Sequence, residues 1–118
     1  MNNEPANALP VVETERFNEM RELMESDFAV MLQSFFTDAS GYIENAQSLL
    51  SQSPSNAADC VHKLKGAALS LGATELANVS FLAMQHLRQS KLKQAKEELS
   101  ELPGALERFK KEALSRVK

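Results

Sequence analysis

The hydrophobic residues of this chain return at intervals of three and four positions, the spacing of a helix that buries one face. The longest run of this kind covers about residues 27–52. The same spacing predicts further helices at about residues 14–24, 54–71 and 75–90, and from Leu92 towards the end of the chain. The pattern therefore predicts an all-α protein.

The last predicted helix contains Pro103 and Gly104, two residues that disfavour a helix interior. The apolar spacing nevertheless continues across them in the same register, from Leu102 to Leu106. We therefore expect one kinked helix, in which Pro103 removes one backbone hydrogen bond. Two separate helices are the alternative.

Four substantial amphipathic helices with short connections favour an antiparallel four-helix bundle, with the short helix at residues 14–24 as a lid. The start of the chain is polar and contains Pro5 and Pro10, so we expect residues 1–12 to form a flexible N-terminal tail. The helical bundle domain is then expected to span residues 13–118.

Length and composition narrow the possible classes of protein. A chain of 118 residues can form one domain with its own core, and four glycines with four prolines are too few for a turn-rich all-β chain. The net charge of −3 disfavours nucleic-acid binding, because proteins of that class are basic. We find no apolar run that could cross a membrane and no signal-peptide layout. With Cys60 as the single cysteine, we expect no disulfide and a cytoplasmic protein.

The helix that ends before Gly72, its expected C-terminal glycine, has two faces of different character. Its apolar stripe consists of Val61, Leu64, Ala68 and Leu71. Its opposite face consists of Ala58, Asp59, His62, Lys65, Gly66 and Leu69. His62 is therefore expected in the middle of a solvent-facing surface, one turn before Lys65. A glycine in a helix interior costs roughly 1 kcal/mol relative to alanine, so Gly66 indicates that a large partner approaches the backbone there.

The segment His62-Lys63-Leu64-Lys65-Gly66, followed by Leu71-Gly72-Ala73, resembles the active helix of histidine-containing phosphotransfer (HPt) domains. The resemblance implies a helical bundle in which His62 is phosphorylated, Lys65 is its electrostatic helper and Gly66 leaves clearance for docking. It also implies two partners. The receiver domain of a hybrid histidine kinase would donate the phosphoryl group from a phospho-aspartate, and the receiver domain of a response regulator would accept it.

The chemistry of an exposed histidine fits this role. Its imidazole is largely uncharged at neutral pH, so one ring nitrogen can attack a phosphoryl group and form phosphohistidine. A lysine one turn away can stabilise the charge of that group. Phosphoryl transfer also needs a metal ion and in-line geometry, and the sequence has no P-loop, no kinase glycine-rich loop and no acidic cluster near His62. We therefore expect no kinase activity and no cofactor in this chain, with Mg²⁺ on the partner receiver.

Helical spacing places Ala58 and Leu69 on the face of His62, so we expect both to be exposed and to form an apolar docking patch. Asp59, three residues before His62, is expected on the same docking surface and is also a candidate to orient the imidazole. Some HPt domains carry a polar residue on the following helix that reaches the active histidine. Met84 stands near that position here, so this partner stays unassigned.

Two rival functions remain open. In the first, the chain is a helical adaptor or a degenerate HPt domain that docks a partner while His62 stays unmodified. In the second, it holds a metal ion, but Asp59 and His62 supply only one partial match to the two Glu-x-x-His pairs of a di-metal bundle. His86 is expected to be solvated. Met1 and the tail favour a free-standing relay protein, which we expect to be a monomer.

Overall fold

The computed structural model describes residues 9–117 of the chain. Within this range there are five α-helices and no strand, so the all-α prediction is confirmed. The helices are α1 (Thr14–Met24), α2 (Phe28–Leu49), α3 (Pro54–Ser70), α4 (Thr74–Arg88) and α5 (Leu92–Arg116). Each lies where the apolar spacing predicted one.

Helices α2 to α5 form the expected antiparallel bundle. Helix α3 packs against α2 and α4, and α5 packs against the same two helices, so the four close around one core. Helix α1 joins α2 through the 3-10 turn Glu25–Asp27 and covers one end of that core. Its Phe17 is fully buried, with ring centroids of Phe28 at 5.2 Å and Phe109 at 6.4 Å, both edge-on. These aromatic contacts hold α1 in place as a lid.

Helix α5 runs unbroken from Leu92 to Arg116 with Pro103 inside it, so the prediction of one helix is confirmed and the alternative of two separate helices is wrong. Proline has no N–H group, and the carbonyl of Leu99, four residues earlier, therefore loses its helical hydrogen bond. The side-chain amide of Gln47 on α2 donates a hydrogen bond of 3.1 Å to that carbonyl oxygen. A side chain from a neighbouring helix thus compensates for the proline and links α2 to α5.

Helix α3 ends in a left-handed turn at Gly72, where φ is +75°. The N–H of Ala73 donates to the carbonyl of Ala68 at 2.9 Å, and the N–H of Gly72 donates to the carbonyl of Leu69 at 3.2 Å. These two bonds define a Schellman motif, which satisfies the last carbonyls of a helix. The expected role of Gly72 as the helix terminator is confirmed.

Residues 9–13, here called the N-terminal strap, cross this turn and are bonded to it. The N–H of Glu13 donates to the carbonyl of Gly72 at 2.7 Å, and the N–H of Glu75 donates to the carbonyl of Pro10 at 3.0 Å. The side chain of Val12 is buried in the core. The predicted flexible tail is therefore wrong for residues 9–12, because backbone pairing with a distant turn leaves no periodic signal in the sequence. The rest of that prediction concerns residues 1–8, which lie outside the described residues.

The turn at Gly72 generates a prediction for stability. We expect Gly72→Ala to lower the free energy of unfolding by about 1–3 kcal/mol, because a positive φ strains alanine. Its Cβ would also lie 2.7 Å from the carbonyl oxygen of Glu13. Gly41→Ala in α2 is the matched control, since a Cβ there meets nothing within 4 Å, and it should stabilise the fold by about 0.4–1 kcal/mol. Urea unfolding followed by circular dichroism compares the two, and changes of the same sign would contradict this account.

A second prediction follows from the bond between Gln47 and Leu99. We expect Gln47→Ala to lower the free energy of unfolding by about 1 kcal/mol, because a partly buried carbonyl loses its donor. In a Pro103→Ala background, residue 103 regains an N–H for that carbonyl, so the same substitution should cost clearly less. A double-mutant cycle measured by chemical unfolding checks this coupling. Equal costs in the two backgrounds would show that the bond does not compensate for Pro103.

Candidate functional site

Helix α3 holds His62 on the outside of the bundle because its opposite side is fixed in the core. The fully buried side consists of Val61, Leu64 and Ala68. The exposed side includes His62, Gly66 and Leu69. Neighbouring helices α2 and α4 cover the two flanks of α3, so only a strip of it faces solvent. His62 lies on this strip, as the sequence predicted.

Ala58 does not belong to the exposed strip. It is 1% exposed, so the prediction that it lies at the surface beside Leu69 is wrong. Helical spacing gives the direction of a side chain but not the number of neighbouring helices. Because α3 is flanked on two sides, its buried face is broad enough to include Ala58 as well as Ala57.

Asp59 lies at the surface, one turn before His62. Among residues 9–117, however, no side-chain hydrogen bond or ion pair joins Asp59 to His62. The geometry therefore gives no support to Asp59 as the group that orients the imidazole. Its position at the edge of the strip remains compatible with contact to a docking partner.

Lys65 is half-buried and leans towards α4. Its Nζ lies 5.3 Å from the centroid of the Phe81 ring, which is within the range of a cation–π contact. Side chains three residues apart on a helix are neighbours, with Cβ atoms about 5–6 Å apart. The side chain of Lys65 therefore begins one turn from His62, and its ammonium group lies against a ring supplied by the next helix.

Gly66 leaves the surface beside His62 bare. A Cβ built at this position would meet nothing within 4 Å, so Gly66 is not required by a contact between helices. Next to it, Leu69 is 50% exposed and Phe81 is 37% exposed. Together with Lys65 and Leu9 of the strap, these two side chains line a shallow groove of about 220 Å³. Exposed apolar groups gathered beside a polar site are typical of a surface that binds another protein.

The apolar spacing did not point to Phe81 as a neighbour of Lys65. The signal available was an aromatic residue outside the buried stripe of α4, which includes Leu76, Ala83 and Leu87. A single exposed aromatic residue is common on protein surfaces, so this signal does not mark a site by itself. Only the packing of α4 against α3 shows that this ring reaches Lys65.

Two other residues of α4, Met84 and His86, are buried or partly buried. Met84, where some HPt domains carry a polar partner for the histidine, is 6% exposed and belongs to the core. His86 is not simply solvated, so that prediction is wrong. Its Nδ1 lies 2.7 Å from Oε1 of Glu98 on α5, and its side chain is only 24% exposed.

Residues 9–117 contain no group of three or more His, Cys, Asp or Glu side chains arranged to hold a metal ion. Nor is any helix in this part of the chain long and apolar enough to span a membrane. The chemistry that the site itself offers is therefore an exposed imidazole, a lysine one turn away and an open approach over Gly66.

Comparison with known proteins identifies the class of this helical bundle. The family model described as "Hpt domain" matches residues 30–112, which is more than half of the chain. This chain therefore belongs to the Hpt domain family, whose role is phosphotransfer in two-component signalling and whose members interact with receiver domains.

Solved structures show the same fold. A rice protein described as a histidine-containing phosphotransfer protein matches with a TM-score of 0.79 and 20% identity, over 89% of this chain and 78% of its own. A maize histidine-containing phosphotransfer protein matches with a TM-score of 0.74 and 20% identity, over 92% of this chain and 88% of its own. No curated protein matches the chain in sequence.

The open space over Gly66 leads to a prediction in which stability and function change in opposite directions. We expect Gly66→Ala to stabilise the fold by roughly 0.4–1 kcal/mol, because it removes backbone freedom from the unfolded chain. Gly66→Gln should also fold normally, since nothing packs over this position. Both side chains would stand in the path of an approaching partner. We therefore expect slower phosphotransfer for both, with the larger loss for glutamine.

Thermal melts and a phosphotransfer time course on the same two variants check this expectation. Gly41→Ala is again the control, since it gains the same methyl group away from α3 and should leave the transfer rate unchanged. A Gly66→Gln protein that transfers at the wild-type rate would show that no partner approaches over this glycine.

Proposed function

We propose that this protein is a phosphorelay intermediate that carries the phosphoryl group on His62. It accepts the group from the phospho-aspartate of one receiver domain, that of a hybrid histidine kinase, and passes it to the receiver domain of a response regulator. The observation that carries the proposal is the position of His62 on a packed helix, exposed to solvent, with Lys65 and the bare backbone of Gly66 one turn further along. Membership of the Hpt domain family supports it.

The transfer step is a displacement at phosphorus. A ring nitrogen of His62 attacks the aspartyl phosphate, an N–P bond forms and the bond from phosphorus to the aspartate oxygen breaks. Aspartate leaves as a carboxylate with the bonding electron pair, and the proton on the other ring nitrogen can pass to water. The second receiver repeats the exchange in the opposite direction, with its own aspartate as the nucleophile.

This chain and the receiver domain each supply some of the groups that the transfer needs. His62 supplies the nucleophile, and Lys65 supplies a mobile positive charge for the phosphoryl oxygens. We assign the Mg²⁺ ion and the in-line geometry to the receiver, because phosphoryl transfer requires both. The chain then has no ATP-dependent kinase activity of its own.

Docking takes place on the same strip of α3. Gly66 allows the receiver backbone to come close, Leu69 provides apolar contact, and Asp59 borders the surface with a charged group. Because the two receivers use one surface in turn, a monomer in the cytoplasm that leaves α3 uncovered suits this exchange.

The direct test is phosphoryl uptake. The purified protein is incubated with a receiver domain from the same genome that has been phosphorylated with acetyl phosphate and Mg²⁺. We expect acid-labile label on the wild-type protein and none on His62→Gln. The melting temperature of the variant should stay close to that of the wild type, because exposed positions usually change stability by about 0.5 kcal/mol or less.

Two controls make the result specific. His86→Gln removes the other histidine, which lies on α4 beside Glu98, and should keep the label. Incubation of the protein with ATP and Mg²⁺ alone should give none. Label that survives in His62→Gln would refute the assignment of the nucleophile. A wild-type protein that binds the receiver without becoming labelled would support the adaptor function instead.

A further inference from the structure

The contact between Lys65 and Phe81 joins the proposed helper of the reaction to a side chain of another helix. The ammonium nitrogen lies 5.3 Å from the ring centroid, and the ring belongs to α4, the helix next to α3. Phe81 lies off the buried stripe of α4 and is 37% exposed, so burial in the core does not explain it. Its ring and Leu69 line the same groove as the lysine.

The physical effect of this contact is on the freedom of the lysine. A lysine ammonium ends a flexible four-carbon stem, so without a partner it is spread over many rotamers. The face of an aromatic ring attracts the cation, and the ring itself is held by the packing of α4 against α3. The lysine thereby samples fewer rotamers, and its ammonium group needs less ordering to meet a stronger partner. A phosphoryl group on the imidazole is such a partner, because it carries negative charge.

We propose that Phe81 is the positioning residue for Lys65 in phosphotransfer. Its ring orders the lysine side chain in the unmodified protein and stays in contact with it while the ammonium group meets the phosphoryl oxygens during transfer. This inference rests on the proposed function, and it assigns Phe81 a role through the lysine rather than through contact with the reacting atoms.

The first test needs no phosphotransfer. In the unmodified protein, the ring should shift the ε-methylene proton resonances of Lys65 upfield, measured by ¹H–¹³C NMR. Lys63, which is exposed on the same helix, is the internal reference. The shift should disappear in Phe81→Leu and persist in Phe81→Tyr, which keeps an aromatic ring. An unshifted Lys65 in the wild-type protein would refute the positioning role and leave the proposed function intact.

The second test is a double-mutant cycle on the transfer rate from a phosphorylated receiver. We expect Phe81→Leu to lower the maximal rate about two- to fivefold, because the lysine side chain is then ordered only during transfer and the cost of ordering it adds to the barrier. Phe81→Tyr should transfer at about the wild-type rate, because it keeps an aromatic ring at this position. In a Lys65→Ala background, Phe81→Leu should have no further effect, because the group it positions is gone. The receiver concentration at half-maximal rate should stay unchanged throughout.

The other outcomes are equally decisive. If Phe81→Leu still slows transfer in the Lys65→Ala background, or if it raises the receiver concentration at half-maximal rate, then Phe81 contacts the receiver directly. Either result would overturn the inference. Melting temperatures of all variants separate these effects from unfolding, and Phe81→Tyr keeps the test valid if Phe81→Leu folds poorly. A wild-type protein that takes up no phosphoryl group would refute the proposed function, and the positioning role with it.

Discussion

The burial of one side of α3 is the constraint on which the site depends. Val61, Leu64 and Ala68 are fully enclosed, and α2 and α4 cover the flanks of the helix, so rotation of α3 would expose core side chains to water. The direction of His62 is therefore set by the hydrophobic core rather than by its own contacts. A reactive side chain on a packed helix is placed more accurately than one on a loop. This matters for His62, because among residues 9–117 no side-chain hydrogen bond holds its ring.

The sequence predicts those features that depend only on the helical repeat: where the helices lie and which side of each helix is apolar. Apolar spacing located five helices, and it placed His62 and Gly66 on the outside of one of them. The same reasoning failed for Ala58, because the period gives an angle around one helix and says nothing of how many helices surround it. It failed for residues 9–12 because an extended strap that pairs with a turn has no period to detect.

The remaining features depend on pairs of residues far apart in the chain. Gln47 meets the carbonyl of Leu99 only because α2 lies beside α5, and Phe81 meets Lys65 only because α4 lies beside α3. In the sequence, each of these side chains is an ordinary member of an amphipathic helix. Their partners become visible once the helices have been assembled. The exposure of His62 could thus be predicted from the sequence, while the contact between Lys65 and Phe81 could not.

The N-terminal strap has a consequence for the order in which the molecule is assembled. Its backbone hydrogen bonds with Gly72 and Glu75 join parts of the chain roughly sixty residues apart. Closing a loop of that length costs conformational entropy before any contact offsets it. The strap pairs with the turn between α3 and α4, so it has nothing to dock on until these two helices are in place. Leu9 at its end lines the groove beside Lys65. One wall of that groove therefore comes from a segment that can dock only on helices already packed together.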